Sequence, residues 1–197
     1  MNASLIGLTG GIGCGKTEVA NILSRNGFYV IDADKIGKKI VEDNPSVLHE
    51  LVHAFGPGII DESGALKRKE LGHIVFADEI KKLKLNQITH PHLISEIGFA
   101  IVSAQRDGWK RIVVDAALIY EAGMESMFDK IIVVYADLPV RIARIRARDR
   151  FKESDIINRI RSQMDLEEKK RRADAVIVNN GTLEDLEKTT LSVVNSF

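Results

Sequence analysis

Short apolar runs alternate with stretches of helical periodicity along most of this sequence. A continuous apolar run is typical of a strand that is buried on both faces of a parallel sheet. Strands that alternate with helices predict right-handed crossovers, and therefore an α/β fold with a mainly parallel sheet. The predicted strands cover residues 5–9, 28–31, 110–115, 130–135 and 175–178.

Helical patterns occupy the segments between these strands. Asn44 before Pro45, and Thr182 before two acidic residues, are typical helix starts. The longest pattern, over residues 79–105, contains Pro91, so we expect this helix to be interrupted there. Further helices are predicted over residues 16–26, 35–43, 67–75 and 139–148.

Two segments stand apart from this alternation. Residues 44–105 are predicted to form a helical insertion between strands, and residues 141–172 form a charged stretch between the last two strands. The remaining segments carry the strands and form the predicted core. These core segments are 1–43, 106–140 and 173–197.

The first predicted strand leads into a glycine-rich turn. It fits the phosphate-binding pattern of glycine, four residues, then Gly-Lys-Ser/Thr, with Gly10, Gly15, Lys16 and Thr17 at the fixed places. Glycines allow main-chain N–H groups to approach phosphate oxygens, and the helix N-terminus adds a favourable dipole. Lys16 would neutralise the β- and γ-phosphates, and the Thr17 hydroxyl would bind Mg²⁺. The predicted ATP-binding residues of the turn are Gly11, Ile12, Gly13, Cys14, Gly15, Lys16 and Thr17.

A dinucleotide-binding turn is the alternative, because Asp32 and Asp34 lie at about the right distance downstream. That interpretation leaves Lys16 and Thr17 unexplained, and the glycine spacing lacks the third glycine. We therefore predict a P-loop NTPase-type fold, with a parallel five-stranded sheet flanked by helices. A phosphate loop alone leaves a kinase, an ATPase and a nucleotide switch open.

Acidic residues lie where predicted strands end. Asp32 and Asp34 follow the second strand, and Asp115 ends the third. A carboxylate beside the phosphates is suited to accept the proton of a substrate hydroxyl, or to hold water on Mg²⁺. Each residue also has a structural interpretation, as the cap of the helix or turn that follows. A helix cap accounts for one of Asp32 and Asp34 but not for both.

Arginines are concentrated in the charged stretch. Arg141, Arg144 and Arg148 share one face of the predicted helix, because they are three and four residues apart. A guanidinium group binds two phosphate oxygens at once, so a lid that carries such arginines would close over a transferring phosphoryl group. The alternative is a solvated segment whose arginines pair with nearby acids. We expect ion pairs for most of them and phosphate contacts for one to three.

The composition narrows the possible partners. The formal charge is zero, so no global field attracts nucleic acid or membrane, and no apolar run reaches membrane-spanning length. The single cysteine is typical of a reducing compartment, and we expect a cytoplasmic protein because no signal peptide is evident. That cysteine, Cys14, is near a predicted helix N-terminus, which lowers thiol pKa values. We therefore expect Cys14 to be alkylated readily and to be protected by ATP.

Several segments, in order, resemble the dephospho-CoA kinase family. The phosphate loop and residues 30–34 resemble the opening of these enzymes. The resemblance covers nearly the whole chain, which makes it far more specific than the phosphate loop alone. It continues over residues 54–56, 67–72, 75–76, 88–91, Arg144, 148–149, Arg159, Gln163, Lys169, 173–174 and 179–181.

The resemblance implies the last step of coenzyme A synthesis. The γ-phosphoryl group of ATP would pass to the ribose 3′-hydroxyl of dephospho-CoA with Mg²⁺, giving CoA and ADP. Residues 44–105 would be the helical CoA domain, and residues 141–172 the lid. Neither a nucleic acid nor a membrane is an expected partner.

The resemblance also implies roles for single residues. Asp34 is the preferred general base and Asp32 the second candidate. The other implied catalytic residues are Lys16, Arg144 and Arg148, and Asn179 would lie near the adenine. The implied acceptor-binding residues are Thr9, Asp34, Arg68 and His90, and the implied metal ligands are Thr17 and Asp115.

Some positions depart from the family pattern. Cys14 stands where the family usually has serine, and Ala117 replaces a proline in the segment 116–121. Arg141 replaces a common glutamine, so the resemblance gives it no role. The alternatives from the residues alone are a kinase for another small molecule and a nucleotide-dependent switch. The Asn/Thr-Lys-x-Asp element usual in guanine recognition is absent from the sequence.

Overall fold

A five-stranded sheet forms the centre of the structure, a computed structural model that describes residues 3–76, 78–149 and 153–197. Every neighbouring pair of strands is parallel, and the spatial order is β2-β3-β1-β4-β5. This arrangement confirms the predicted α/β fold with a parallel five-stranded sheet. The strands are β1 (Ser4–Gly10), β2 (Tyr29–Asp32), β3 (Arg111–Asp115), β4 (Lys130–Tyr135) and β5 (Ala175–Val178).

Helices fill the connections between the strands. The predicted caps are present: the Asn44 side chain accepts from Ser46 N and Val47 N, and Thr182 forms a capping box with Asp185. Among the described residues, none of the helices combines the length and apolar character that crossing a bilayer requires. The helices are α1 (Lys16–Arg25), α2 (Ala33–Asp43), α3 (Pro45–Phe55), α4 (Arg68–Phe76), α5 (Glu79–Arg106), α6 (Leu138–Asp149), α7 (Glu153–Arg161), α8 (Leu166–Arg172) and α9 (Leu183–Val194).

The chain forms two compact units. The first comprises the residues up to Asp32 and from Ile101 onward, and it contains the whole sheet. Its inner strands are buried along almost their full length, as expected for parallel strands covered on both faces. Helices α1 and α9 contribute to this core. Their buried side chains are Val19, Ala20, Ile22, Leu23, Leu186, Thr190 and Val194.

The second unit comprises Ala33–Ala100 and is helical. It has its own apolar core, formed by α2, α3, α4 and α5. Helix α2 therefore belongs to this unit, whereas the predicted insertion began after it, at residue 44. The buried residues of this core are Ile40, Val41, Val47, Leu51, Ile59, Leu71, Val75 and Ile88.

The expected interruption near Pro91 is wrong. Helix α5 continues from Glu79 to Arg106 with Pro91 inside it. The neighbouring residues explain why the helix continues. Ile88 before the proline and Leu93 after it both pack on the apolar core of the second unit, which stabilises the helix on both sides of Pro91. Pro91 itself is exposed. Its missing N–H and its ring still disfavour the helix locally.

We expect Pro91→Ala to stabilise the protein. Alanine restores a helical N–H without opening a cavity, so the free energy of unfolding rises by up to about 3 kcal/mol. Urea unfolding followed by circular dichroism measures this change. Pro91→Gly is the matched control and gains about 1 kcal/mol less. An alanine variant no more stable than the parent would contradict a continuous, strained helix.

Candidate active site

The phosphate loop follows β1, at the edge where the strands of the sheet end. Residues 11–15 form the loop, and α1 begins at Lys16, so the predicted order of strand, loop and helix is present. The loop contains a tight turn in which Cys14 N donates to Gly11 O over 3.1 Å. Thr17 lies in the first turn of α1 and is exposed. This geometry presents the N-terminal N–H groups of a helix to a ligand.

Gly15 is required at its position for two reasons. Its φ is +86°, in the left-handed region, and a Cβ there would collide with the side-chain amide of Asn179. Asn179 is buried after β5, and its Nδ2 donates to Cys14 O over 2.8 Å. The structure thus brings the Asn179 amide against the loop. Its predicted proximity to the adenine stays a prediction.

The Lys16 ammonium donates to Oδ1 of Asp115. Asp115 is buried at the end of β3, and it pairs in register with Asp32 at the end of β2. Parallel strands end at the same edge of a sheet, which is why residues so distant in sequence meet here. The edge therefore brings the Lys16 ammonium and the Asp115 carboxylate together, with Asp32 on the next strand.

The surroundings of Cys14 differ from those expected for a reactive thiol. Its side chain is completely buried, and this desolvation raises the pKa of the thiol. The positive charge of Arg141 and nearby main-chain hydrogen bonds act in the opposite direction but are smaller effects. The predicted lowering of the pKa is wrong in direction because burial of the thiol outweighs the effect of the nearby helix N-terminus.

Two side chains hold the main chain of Ile12. Nε of Arg141 donates to Ile12 O over 3.0 Å, and Oε1 of Gln163 accepts from Ile12 N over 2.8 Å. Arg141 is buried, and a Cβ on Gly11 would lie 2.7 Å from its Nη2. Helical spacing indicated Arg141 only as one of three candidate phosphate-binding arginines, and no role was predicted for Gln163. The only signal was that Gln163 belongs to the segments that resemble the family.

The predicted lid arginines lie in different surroundings. Arg144 is half-buried and donates to Asn179 O over 3.0 Å and to Asn179 Oδ1 over 3.2 Å. Arg148 is exposed and pairs with Asp149 over 2.6 Å. Three further arginines of the stretch form ion pairs with acidic residues. These pairs are Arg146–Glu153, Arg171–Glu168 and Arg172–Glu125.

A buried ion pair lies close to the loop and was not predicted. The Lys169 side chain is completely buried, and its Nζ lies 2.8 Å from Oε1 of Glu121. The same Nζ donates to Ala117 O over 2.8 Å. Burial lowers the pKa of Lys169, and the charge of Glu121 opposes that shift. Thr9 is also fully buried and donates to Ala117 O, so the structure does not support its predicted contact with the acceptor.

The remaining predicted residues belong to the second unit. Asp34 is exposed in the first turn of α2, whereas Asp32 is the last residue of β2. The Arg68 Nη2 donates to Lys38 O over 2.6 Å and to Oε1 of Glu42 over 2.9 Å. His90 is half-buried on α5.

The described residues contain no group of three or more His, Cys, Asp or Glu side chains arranged for a metal ion. A Mg²⁺ ion that binds with a nucleotide needs fewer protein ligands, because phosphate oxygens and water supply the rest. The hydroxyl of the exposed Thr17 and the Asp115 carboxylate that accepts from Lys16 fit that limited donor set.

Comparison with known proteins identifies the family. The model of the dephospho-CoA kinase (CoaE) family matches residues 4–185. A dephospho-CoA kinase of Bacillus licheniformis is 42% identical over 183 residues, which are 93% of this chain and 91% of that protein. The chain belongs to the dephospho-CoA kinase family. The family predicted from sequence is confirmed.

Solved structures extend this result to the fold. The dephospho-CoA kinase from Campylobacter jejuni is 29% identical and superimposes with a TM-score of 0.71, covering 98% of this chain and 96% of its own. The protein TT1252 from Thermus thermophilus is 30% identical, with a TM-score of 0.84 and coverage of 100% and 99%. Within the dephospho-CoA kinase family, the phosphate loop serves an enzyme rather than a nucleotide switch.

We expect Cys14 to resist alkylation in the folded protein. Its buried thiol has a raised pKa, so little thiolate is present near neutral pH and the reagent lacks access. Iodoacetamide labelling followed by mass spectrometry measures this reactivity, and the chain has one cysteine to follow. The urea-unfolded chain is the control and labels completely. Rapid labelling of the native protein that ATP prevents would support the original sequence-based expectation instead.

Proposed function

We propose that this protein transfers the γ-phosphoryl group of ATP to the ribose 3′-hydroxyl of dephospho-CoA, giving CoA and ADP. The observation that carries the proposal is the phosphate loop with Lys16 beside Asp115, in a chain of the dephospho-CoA kinase family. Exposed Thr17 in the first turn of α1 supports nucleotide binding there, and the single cysteine supports a cytoplasmic location.

The nucleotide is bound through the main chain of residues 11–17. Backbone N–H groups and the N-terminus of α1 surround the phosphates, and Lys16 adds one positive charge. In the structure that charge is neutralised by Asp115. The ammonium group therefore exchanges part of its interaction with Asp115 for the β- and γ-phosphate oxygens when ATP binds.

Thr17 and Asp115 are the residues that would hold Mg²⁺, the first through its hydroxyl and the second through water. When bound, the ion neutralises charge on the β- and γ-phosphate oxygens. Arg144 and Arg148 are the proposed arginine contacts of the transferring group. Binding a phosphate would cost Arg144 more free energy than Arg148. Arg144 would lose its hydrogen bonds to Asn179, whereas Arg148 would lose an exposed ion pair with Asp149, which contributes little.

A carboxylate must accept the proton of the attacking hydroxyl. We propose Asp34 as this base and Asp32 as the second candidate. Asp34 is exposed and therefore accessible to an acceptor, which supports it. Asp32 lies in register with Asp115 at the edge of the sheet, which keeps it as the alternative. Residues 44–105, with Arg68 and His90 among them, are proposed to bind the acceptor.

We expect phosphoryl transfer to dephospho-CoA and to few other alcohols. The purified protein with Mg-ATP and dephospho-CoA should give ADP and a product phosphorylated at the ribose 3′ position, identified by mass spectrometry and ³¹P NMR. Adenosine and gluconate are control acceptors and should not stimulate ATP consumption. Equal turnover with a control acceptor would indicate another small-molecule kinase, and turnover without any acceptor would indicate an ATPase or a switch.

We expect Asp34→Asn to lower kcat by at least the roughly 10²-fold typical of a general base, because the amide cannot accept the proton. The affinity for ATP should change little. Steady-state kinetics and calorimetric ATP titration measure the two quantities. Asp32→Asn is the matched variant, and a loss confined to that variant would identify Asp32 as the base.

A further inference from the structure

Ile12 is the loop residue whose main chain is held from both sides by other parts of the chain. Its N–H donates to Gln163, just after α7, and its carbonyl accepts from Arg141, near the start of α6. Two residues of the predicted lid, Arg141 at its start and Gln163 between α7 and α8, thus contact the phosphate loop. Because Ile12 lies between Gly11 and Gly13, neighbouring side chains cannot hold this part of the loop by packing.

Gln163 is itself held in place through its neighbour. The N–H of Met164 donates to Oε1 of Glu121 over 2.9 Å. Glu121 accepts in turn from Lys169, whose Nζ lies 3.0 Å from Oε2. Hydrogen bonds therefore connect Lys169 to Glu121 and Glu121 to the N–H of Met164, and Met164 follows Gln163, the residue that binds Ile12.

A gain in the free energy of unfolding does not by itself account for the Lys169–Glu121 ion pair. The Lys169 side chain has 0% exposure, and an ammonium group in that setting is costly unless it is paired and hydrogen-bonded. Apolar residues of similar size often replace such a pair without loss of stability. The presence of the pair is explained if the Glu121 carboxylate is needed to accept the hydrogen bond from the N–H of Met164.

We propose that Gln163 is a positioning residue of the phosphate loop, and that the Lys169–Glu121 pair acts on the loop through it. Gln163 fixes the peptide N–H of Ile12, and so the path of the loop that presents the following amides to the nucleotide. The proposal rests on the proposed function only in placing the nucleotide at this loop. Its test uses nucleotide binding without an acceptor, so it can fail independently of the proposed reaction.

Gln163→Leu removes the acceptor at nearly constant size and leaves the Ile12 N–H without its partner. We expect the dissociation constant for ADP and the KM for ATP to rise about tenfold, the effect of losing one partly buried hydrogen bond, while the KM for dephospho-CoA is unchanged. Hydrogen exchange of the Ile12 amide, followed by NMR, should accelerate in this variant. Gln163→Glu retains an acceptor oxygen, and its Ile12 amide should stay protected.

Gln105→Leu is the matched control, since Gln105 is exposed near the end of α5 in the same unit. It should change neither nucleotide affinity nor Ile12 exchange. Tighter ADP binding by Gln163→Leu would mean that Gln163 blocks the loop, and unchanged binding would mean that it has no role there. Either result overturns the proposal.

Two double variants test how the ion pair contributes to nucleotide affinity. Each replaces both Lys169 and Glu121, so neither leaves an unpaired buried charge. Lys169→Met with Glu121→Gln removes both charges but keeps an acceptor oxygen for Met164, so ADP affinity should be retained. Lys169→Met with Glu121→Leu removes that acceptor and should weaken ADP binding about as much as Gln163→Leu. Adding Gln163→Leu to the second pair should cause no further loss. Additive losses, or equal losses in the two pairs, would show that the ion pair does not act through Gln163.

Discussion

A loop that binds anions through its main chain has few side chains of its own with which to keep its shape. Glycines alternate with Ile12 and Cys14 between β1 and α1. The conformation of this loop therefore depends on groups supplied by distant parts of the chain. Side chains at the ends of β3 and β5, and Arg141 and Gln163 of the arginine-rich segment, supply them. The resemblance to a known family identifies the loop but not these supports.

The parallel sheet explains why the charges of the site lie together. β1 occupies the centre of the strand order, so β3 and β4 flank the strand that carries the loop. Asp32 and Asp115 end adjacent strands in register, and Lys16 begins the helix that follows β1. The ammonium group consequently has a carboxylate partner in the structure. Under the proposed function, a nucleotide would compete with that carboxylate for the Lys16 ammonium.

The arginines show how differently members of one charged segment are used. Arg146 and Arg148 make exposed ion pairs, which contribute little to stability. Arg141 and Arg144 instead donate to the loop and to Asn179, which itself binds the loop. Helical spacing places several of these residues on one face, but spacing does not tell which of them meets a neighbouring main chain. That distinction depends on the packing of α6 against the core of the first unit.

The local parts of this protein were determined by the sequence alone. Apolar runs predicted every strand, and the caps at Asn44 and Thr182 formed as expected, because these signals act within a few residues. The phosphate loop could be predicted for the same reason, because its pattern lies within eight consecutive residues. Contacts between distant segments could not be predicted in this way: the helix continues through Pro91 because the second core holds it, and tertiary packing buries Cys14. The hydrogen bonds from Arg141 and Gln163 to the main chain of Ile12 likewise depend on the tertiary structure. Their partners are more than a hundred residues apart in sequence, and no local pattern of residues predicts such a pairing.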